Sequence, residues 1–169
     1  PSERADIKPQ WSRLKELAAK QKNVTEADIQ ALMVGKSIED ESAYELKRLQ
    51  VQFVKDGIQA AIVGIQDKGN KDAKMQDSAT GSGSIEAIYN TINRIMEQEI
   101  ILKEYNIEAI TGGKDAQAEV HVVVEDEDGK SYNGTGIDFD VLTASAKAYI
   151  QASGKAKNKQ TIEKVSAHF

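Results

Sequence analysis

The sequence lacks cysteine, and its 169 residues include only two histidines and 5% aromatic residues. Without cysteine the chain can form neither disulfides nor thiolate metal sites, and with few aromatic residues its core must be mostly aliphatic. His168 adjoins the terminal Phe169, and His121 lies in the alternating run AEVHVVVED, where it is expected on one face of a strand. The sequence therefore predicts no catalytic residues, no metal site and no cofactor bound by this chain.

The chain also lacks a basic excess and a long apolar run. Its net charge of -5 disfavours a nucleic-acid partner, which would require a basic face. No apolar run approaches the roughly 20 residues that span a bilayer, so we expect no membrane partner. The chain begins at Pro1 and shows no signal peptide, which leads us to expect a cytoplasmic piece, or processed chain, of a longer protein.

Residues 1–42 predict a helical linker subdomain. Trp11, Leu14 and Leu17 recur at helical spacing, and Thr25 resembles the N-cap of a second short helix. The polar, acidic stretch from 35 to 42 then predicts a linker to a different domain.

From Tyr44 onward, period-two alternation predicts strands, separated by turn signals that include Asp56-Gly57 and Gly112-Gly113. An apolar stripe at helical spacing follows each group of three strands. The order βββα occurs twice, over 43–98 and 99–155, and ATG before the first helix matches GTG before the second. We therefore predict an α+β fold of two βββα repeats that together form a regulatory domain (43–155), preceded by the helical linker subdomain. Residues 156–169 are assigned to a polar tail, whose lysines indicate either a solvated end or an anion-binding patch.

The segment ATGSGSIEA (79–87) permits several interpretations. No lysine follows its glycines, and Glu86 stands where a dinucleotide-binding loop needs glycine, so both phosphate-loop motifs fail. Ser82 or Ser84 could cap the following helix. Alternatively, the unpaired N–H groups of the helix start could bind a small carboxylate.

Several segments resemble one family when they are taken in order. They are YELKRLQVQF (44–53), ATGSGSIEAIYNTINRI (79–95), EYNIEAITGGKDAQAEV (104–120) and GTGIDFDVLTASAKAYI (134–150). Together they resemble the C-terminal regulatory domain of 2-isopropylmalate synthase and its relative citramalate synthase. The stretch 11–33 is similar to the helical linker that precedes that domain.

The resemblance implies a function for the chain and for its parent protein. The parent would be an acyltransferase that condenses acetyl-CoA with 2-oxoisovalerate, using a divalent metal in a TIM barrel. This chain would be non-catalytic and would form a homodimer that binds leucine and mediates feedback inhibition of leucine biosynthesis. Its partners would be leucine, a second copy and the barrel of its own parent chain. The alternative function, from a different functional class, is that of a purely structural dimerisation module that binds no ligand.

The resemblance also implies an effector site that draws on both repeats. Ser84 replaces the usual proline, and the run from Ile137 to Phe139 departs from the small polar residues common there, so isoleucine stays open as the effector. An acid such as Asp115, or nearby carbonyl groups, would bind the ammonium group of the effector, although Asp115 could instead be a solvent-facing turn residue. Tyr105 could belong to the site or to the core. The residues carried over are Gly81, Gly83, Ile85, Leu102, Tyr105, Ala109, Asp115, Ala116, Ala118, Ile137 and Phe139.

Overall fold

The computed structural model describes residues 42–109 and 116–167, and all structural statements below concern those residues. It confirms the α+β fold of two successive βββα units. Residues 1–41 of the predicted linker subdomain, the predicted turn at Gly112 and Gly113, Asp115 and His168 lie outside the described residues. In chain order the elements are β1 (Tyr44–Lys55), β2 (Ile58–Asp67), β3 (Lys74–Gly81), α1 (Ser84–Met96), β4 (Ile101–Ala109), β5 (Ala118–Glu125), β6 (Ser131–Asp138) and α2 (Val141–Ala167).

Each unit contains one three-stranded antiparallel sheet, in the orders β1-β2-β3 and β4-β5-β6. The predicted turn at Asp56 and Gly57 joins β1 to β2, and both residues have positive φ, 54° and 81°. Positive φ at both central positions is the geometry of a two-residue hairpin that follows the strand twist. After a register shift between Lys55 and Phe53, Phe53 lies opposite Gln59, and Gln59 lies opposite Gly81 at the end of the sheet where α1 begins.

Both helices cover one face of a sheet with the apolar stripe that the sequence predicts. Helix α1 packs on β2 and β3, and α2 packs on β5 and β6. Ile88 and Ile92 of α1 and Val120 and Val122 of β5 are completely or almost completely buried. Within the described part of the chain, no helix is both long enough and apolar enough to cross a bilayer.

The two helices lie side by side and run in the same direction. Tyr89 donates a hydrogen bond to the carbonyl oxygen of Ser145 over 3.1 Å, and Tyr149 donates one to Asn93 over 2.9 Å. The two residues of each pair are 56 positions apart in sequence, so a residue of α1 lies level with the residue of α2 that follows it by 56. The rings of Tyr89 and Tyr149 stack with centroids 3.8 Å apart, and burial raises the pKa of Tyr149 to about 12.

Helix α2 continues to Ala167, through most of the segment assigned to a polar tail. Three lysines at the start of that segment and just before it contact the domain itself. The ammonium group of Lys157 donates to the carbonyl oxygen of Met96 over 2.6 Å, at the C-terminal end of α1, where a cation is favourable. Lys155 donates to the carbonyl oxygen of Asn133 over 2.9 Å, and Lys159 lies over the ring of Tyr132. These contacts give the lysines a role other than anion binding.

The hairpin between β5 and β6 turns around the carboxylate of Asp126. That carboxylate accepts hydrogen bonds of 2.9 Å from the backbone N–H groups of Lys130 and Asp128 and from the hydroxyl of Tyr132. Hydrogen bonds to a carboxylate favour its ionised form. The bond from the Lys130 N–H is the largest cause of a pKa of Asp126 below its usual range.

This shift predicts a pH dependence of stability. Because the pKa of Asp126 is lower in the folded chain, its contribution is complete above the unfolded pKa of about 3.9 and disappears as the pH falls through the folded pKa. We therefore expect Asp126→Asn to lower Tm at pH 7, and we expect the difference from the unmodified chain to narrow below about pH 4. Calorimetry of both chains between pH 7 and 3 measures this, with the exposed Glu127→Gln as control; a difference that stays constant with pH would contradict the assignment.

Candidate functional site

The start of α1 carries no side-chain cap. Its N-cap residue is Gly83, in an extended conformation, and no side chain accepts a hydrogen bond there. The predicted capping by Ser82 or Ser84 is wrong because both hydroxyls have other partners: Ser82 donates to the carboxylate of Glu86, and Ser84 bonds to the side chain of Gln59. The first intrahelical bond runs from the N–H of Ala87 to the carbonyl oxygen of Gly83, over 3.0 Å. The N–H groups of the first turn therefore form the positive end of the helix dipole without a side-chain cap, and the carboxylate of Glu86 lies in the same turn.

The start of α2 is capped in the conventional way. The carboxylate of Asp140 accepts hydrogen bonds from the N–H and the hydroxyl of Thr143, over 3.2 and 2.8 Å, and from the N–H of Leu142 over 3.4 Å. A carboxylate at this position stabilises a helix start through both hydrogen bonds and the dipole. The two repeats therefore differ at equivalent points: the N-cap carboxylate of α2 accepts hydrogen bonds from the helix start, whereas the first-turn carboxylate of α1, Glu86, bonds to Ser82 and does not cap the helix.

The two glycines before α1 have different roles. A Cβ on Gly81 would lie 2.4 Å from the backbone nitrogen of Ala87, so this glycine allows α1 to lie directly on the end of β3. A Cβ on Gly83 would meet nothing within 4 Å. Of these two predicted site residues, Gly83 therefore borders open space, whereas Gly81 is a packing residue.

Strand β4 presents an incompletely covered row of side chains to the helix side of its sheet. Register places Leu102, Tyr105, Ile107 and Ala109 on that side, opposite the inward-facing positions of β5. Leu102 and Tyr105 are half-buried, Ile107 is 50% exposed and Ala109 is exposed, because α2 covers β5 and β6 and leaves β4 beside it. The row opens toward the end of the sheet where α2 begins.

A shared contact links this row to both helices. The hydroxyls of Tyr105 and Ser145 lie 2.6 Å apart, and Tyr89 donates to the carbonyl oxygen of the same serine. Ile85 precedes Tyr89 by one turn of α1, and Val141 precedes Ser145 by one turn of α2. Because the helices run together, Ile85 and Val141 lie at the same level, beyond the Tyr105 contact and toward the open helix start.

The remaining predicted site residues are distributed around this end of the domain. Ala118 is 8% exposed and pairs with Ala109, so it adjoins the uncovered row of β4. Ala116 and Phe139 are exposed. Ile137 lies on the opposite face of the sheet, since it pairs with Glu119 while its neighbour Gly136 faces α2.

Four residues of this region were not predicted from the sequence as site residues: Tyr89, Ser145, Val141 and Asp140. The pattern Asp-x-x-Thr directly before an apolar helical run was a readable signal for the Asp140 cap. Tyr89 and Ser145 meet only because the two helices align, and no local pattern carries that information.

An open groove of about 930 Å³ lies away from the helix start, along the second half of α1 and at its C-terminal end. None of the predicted effector residues lines it. Its lining is mainly polar and charged, and it consists of Ser78, Ala79, Thr80, Asn90, Asn93, Arg94, Glu97, Gln98, Glu99 and Glu127.

Comparison with known proteins identifies the family of this domain. A model of the LeuA allosteric (dimerisation) domain matches residues 23–157. The 2-isopropylmalate synthase of Listeria innocua is 60% identical over 151 residues, which cover 89% of this chain and 29% of that protein. The 2-isopropylmalate synthases of Listeria welshimeri and Staphylococcus aureus are 58% and 45% identical, over 90% and 92% of this chain and 30% of each protein. The chain thus spans about three tenths of the length of these curated relatives and belongs to the LeuA allosteric (dimerisation) domain family.

Proposed function

We propose that this chain is the leucine-sensing and dimerisation region of a 2-isopropylmalate synthase. The observation that supports the proposal is the uncapped N-terminus of α1, which lies at the same end of the domain as the open end of the apolar row of β4. A free amino acid needs a site for a carboxylate and a separate site for its side chain, and these two features supply both kinds of surface.

The recognition chemistry divides between the two repeats. The first-turn N–H groups of α1 bind the ligand carboxylate, as helix starts commonly do for anions. Ile85, Ile107 and Val141 contact the branched aliphatic side chain. The ammonium group requires an acid or backbone carbonyl groups, and Asp115 is the acid that the sequence analysis proposes for it. Tyr105, held by Ser145, closes the inner end of the site.

The proposed mechanism is a shift between conformational states. A ligand changes an equilibrium only by its difference in affinity for the two states. Leucine would bind the state in which the parent enzyme is inactive more tightly, with a coupling free energy of about 1–3 kcal/mol. The parent, which we propose to act in the cytoplasm, would condense acetyl-CoA with 2-oxoisovalerate in a metal-dependent barrel encoded outside this chain. This chain matches only 29% of the length of the Listeria innocua 2-isopropylmalate synthase, so the rest of a protein of that length can contain the barrel.

Calorimetric titration of the chain with leucine, isoleucine and valine tests the proposal. We expect leucine to bind most tightly, because the relatives of this chain are named 2-isopropylmalate synthase, the enzyme of leucine biosynthesis, and not citramalate synthase. Light scattering should show a dimer with or without the ligand. A preference for isoleucine would assign the chain to the citramalate synthase type of regulation.

The dimerisation description of the matching family favours one second candidate, a structural dimerisation module. In that case the folded dimer would give no heat with any of the three amino acids. This outcome would reject the sensing role and keep the dimerisation role.

A further inference from the structure

Three metal-ligating side chains converge on the face of the β4-β5-β6 sheet that points away from the helices. Glu108 of β4 and Glu119 of β5 are direct cross-strand partners. His121 follows Glu119 by two residues and therefore lies on the same face. One ligand atom from each residue lies within 4.8 Å of the others. This cluster is separate from the candidate effector site, which lies on the helix side of the sheet.

The imidazole of His121 is oriented by a neighbouring strand. Its Nδ1 lies 3.0 Å from the hydroxyl oxygen of Thr135, its partner on β6. When Nδ1–H donates to that hydroxyl, Nε2 carries the lone pair and points to Glu119, whose Oε1 is 3.5 Å away. A hydrogen bond from the second ring nitrogen is the usual way in which a metal-binding histidine is held in place.

The burial of Glu119 supplies an independent reason for a cation. Its side chain is only 12% exposed, although carboxylates are rarely buried without a partner. A second carboxylate, that of Glu108, faces it directly across the strands, and like charges in that position repel each other. A cation between the carboxylates and the imidazole removes the repulsion and provides the buried group with a counter-charge.

One distance within the cluster matches the ligand spacing around a zinc ion. Ligand atoms about 2.0–2.2 Å from a tetrahedral Zn²⁺ are roughly 3.4 Å apart. The separation between His121 Nε2 and Glu119 Oε1 is 3.5 Å, so these two groups already have ligand spacing. Glu108 is exposed, and a rotamer change can bring its carboxylate closer. The imidazole nitrogen of His121 favours zinc over magnesium, which prefers ligand sets made of oxygen atoms.

We propose that Glu108, Glu119 and His121 form a divalent-cation site selective for Zn²⁺, with water completing the coordination. The ion would join β4 to β5 at the end of the sheet next to the connection between those strands. The site is therefore a structural clamp on the strand that also carries Tyr105 and Ile107.

Titration of the chelator-treated chain with Zn²⁺ alone, followed by Mn²⁺ and Mg²⁺, tests the proposal. We expect Zn²⁺ to bind most tightly and to raise Tm, because an ion that binds only the folded chain stabilises it. His121→Ala and Glu119→Gln should each weaken Zn²⁺ binding at least tenfold, and Thr135→Val should weaken it by roughly tenfold through the lost orientation of the imidazole.

Two controls and a third variant of the site itself make the result specific. Glu104→Gln changes a carboxylate on the same strand and the same face, outside the cluster, and should leave binding unchanged. His168→Ala removes the second of the two histidines in the chain and should also have no effect. Glu108→Gln alters an exposed residue, so it still tests the site if Glu119→Gln fails to fold. Zn²⁺ binding that is absent from the unmodified chain, or unchanged in His121→Ala, would overturn the proposal.

Discussion

Replacing Gly134 with alanine should destabilise the domain by about 3 kcal/mol, at the upper end of the usual cost of overpacking a core. A Cβ at this position would lie 1.9 Å from the carbonyl oxygen of Ala148 and 2.9 Å from the backbone nitrogen of Ala152. Both atoms belong to the backbone of α2, so no side-chain rotation can relieve the clash. The helix would have to move away from β6 as a body.

Helix α2 can approach β6 this closely because the facing surfaces of both elements consist of small residues. Gly134 and Gly136 of β6 lie beneath Ala144 and Ala148 of α2, which are completely buried. A Cβ on Gly136 would come within 2.1 Å of the Ala144 carbonyl oxygen. Since α2 also carries Ser145, displacement of the helix would separate the contacts of that serine with β4 and α1.

Thermal unfolding of Gly134→Ala against the unmodified chain provides the measurement, and the expected loss corresponds to roughly 10 °C in Tm. Gly69→Ala is the matched control, because its Cβ would meet only the carboxylate of Asp67 at an ordinary 3.4 Å. We expect that control to change the free energy of unfolding by less than about 0.5 kcal/mol. Equal effects of the two substitutions would contradict direct packing of α2 on β6.

Local patterns were sufficient to predict the elements of this fold. The alternation in AEVHVVVE gives β5, whose inward positions Val120, Val122 and Val124 are buried as the period requires. The same reasoning places His121 on the outer face. The correspondence between ATG and GTG also predicted the duplicated βββα unit, because each copy ends a strand at the start of a helix.

The geometry between the units could not be predicted in this way. Period two puts Tyr105, Ile107 and Ala109 on one face of β4, but it does not reveal that α2 lies to one side and leaves Ile107 half exposed. The link from Tyr105 through Ser145 to Tyr89 joins three elements that are distant in sequence. Likewise, Ser82 and Ser84 are good capping residues by type, but the hydroxyl of Ser82 bonds locally to Glu86 and a tertiary contact directs the hydroxyl of Ser84 to Gln59.

The free helix start created by those contacts leads to the sharpest test of the proposed sensor. Gly83→Asp places a carboxylate at the N-cap of α1, where it can accept hydrogen bonds from the first-turn N–H groups as Asp140 does in α2. The backbone at Gly83 is extended, with φ of -158°, and the new side chain enters open space. We therefore expect the substitution to stabilise the fold slightly, by about 0.3 kcal/mol, since aspartate exceeds glycine at an N-cap by only a few tenths.

Leucine binding should change in the opposite direction. The introduced carboxylate occupies the N–H groups that the ligand needs and repels the ligand carboxylate. Loss of charged hydrogen bonds worth about 1.5–3 kcal/mol corresponds to a decrease in affinity of roughly 10- to 100-fold. Calorimetry measures this loss, and light scattering checks that the dimer persists. Gly83→Ala is the matched control, because it adds a Cβ without a capping group and should bind leucine almost as the unmodified chain does. A raised Tm of Gly83→Asp would show that the new cap has formed. If that dimer still bound leucine with full affinity, the carboxylate site would lie away from α1 and the proposal would be wrong.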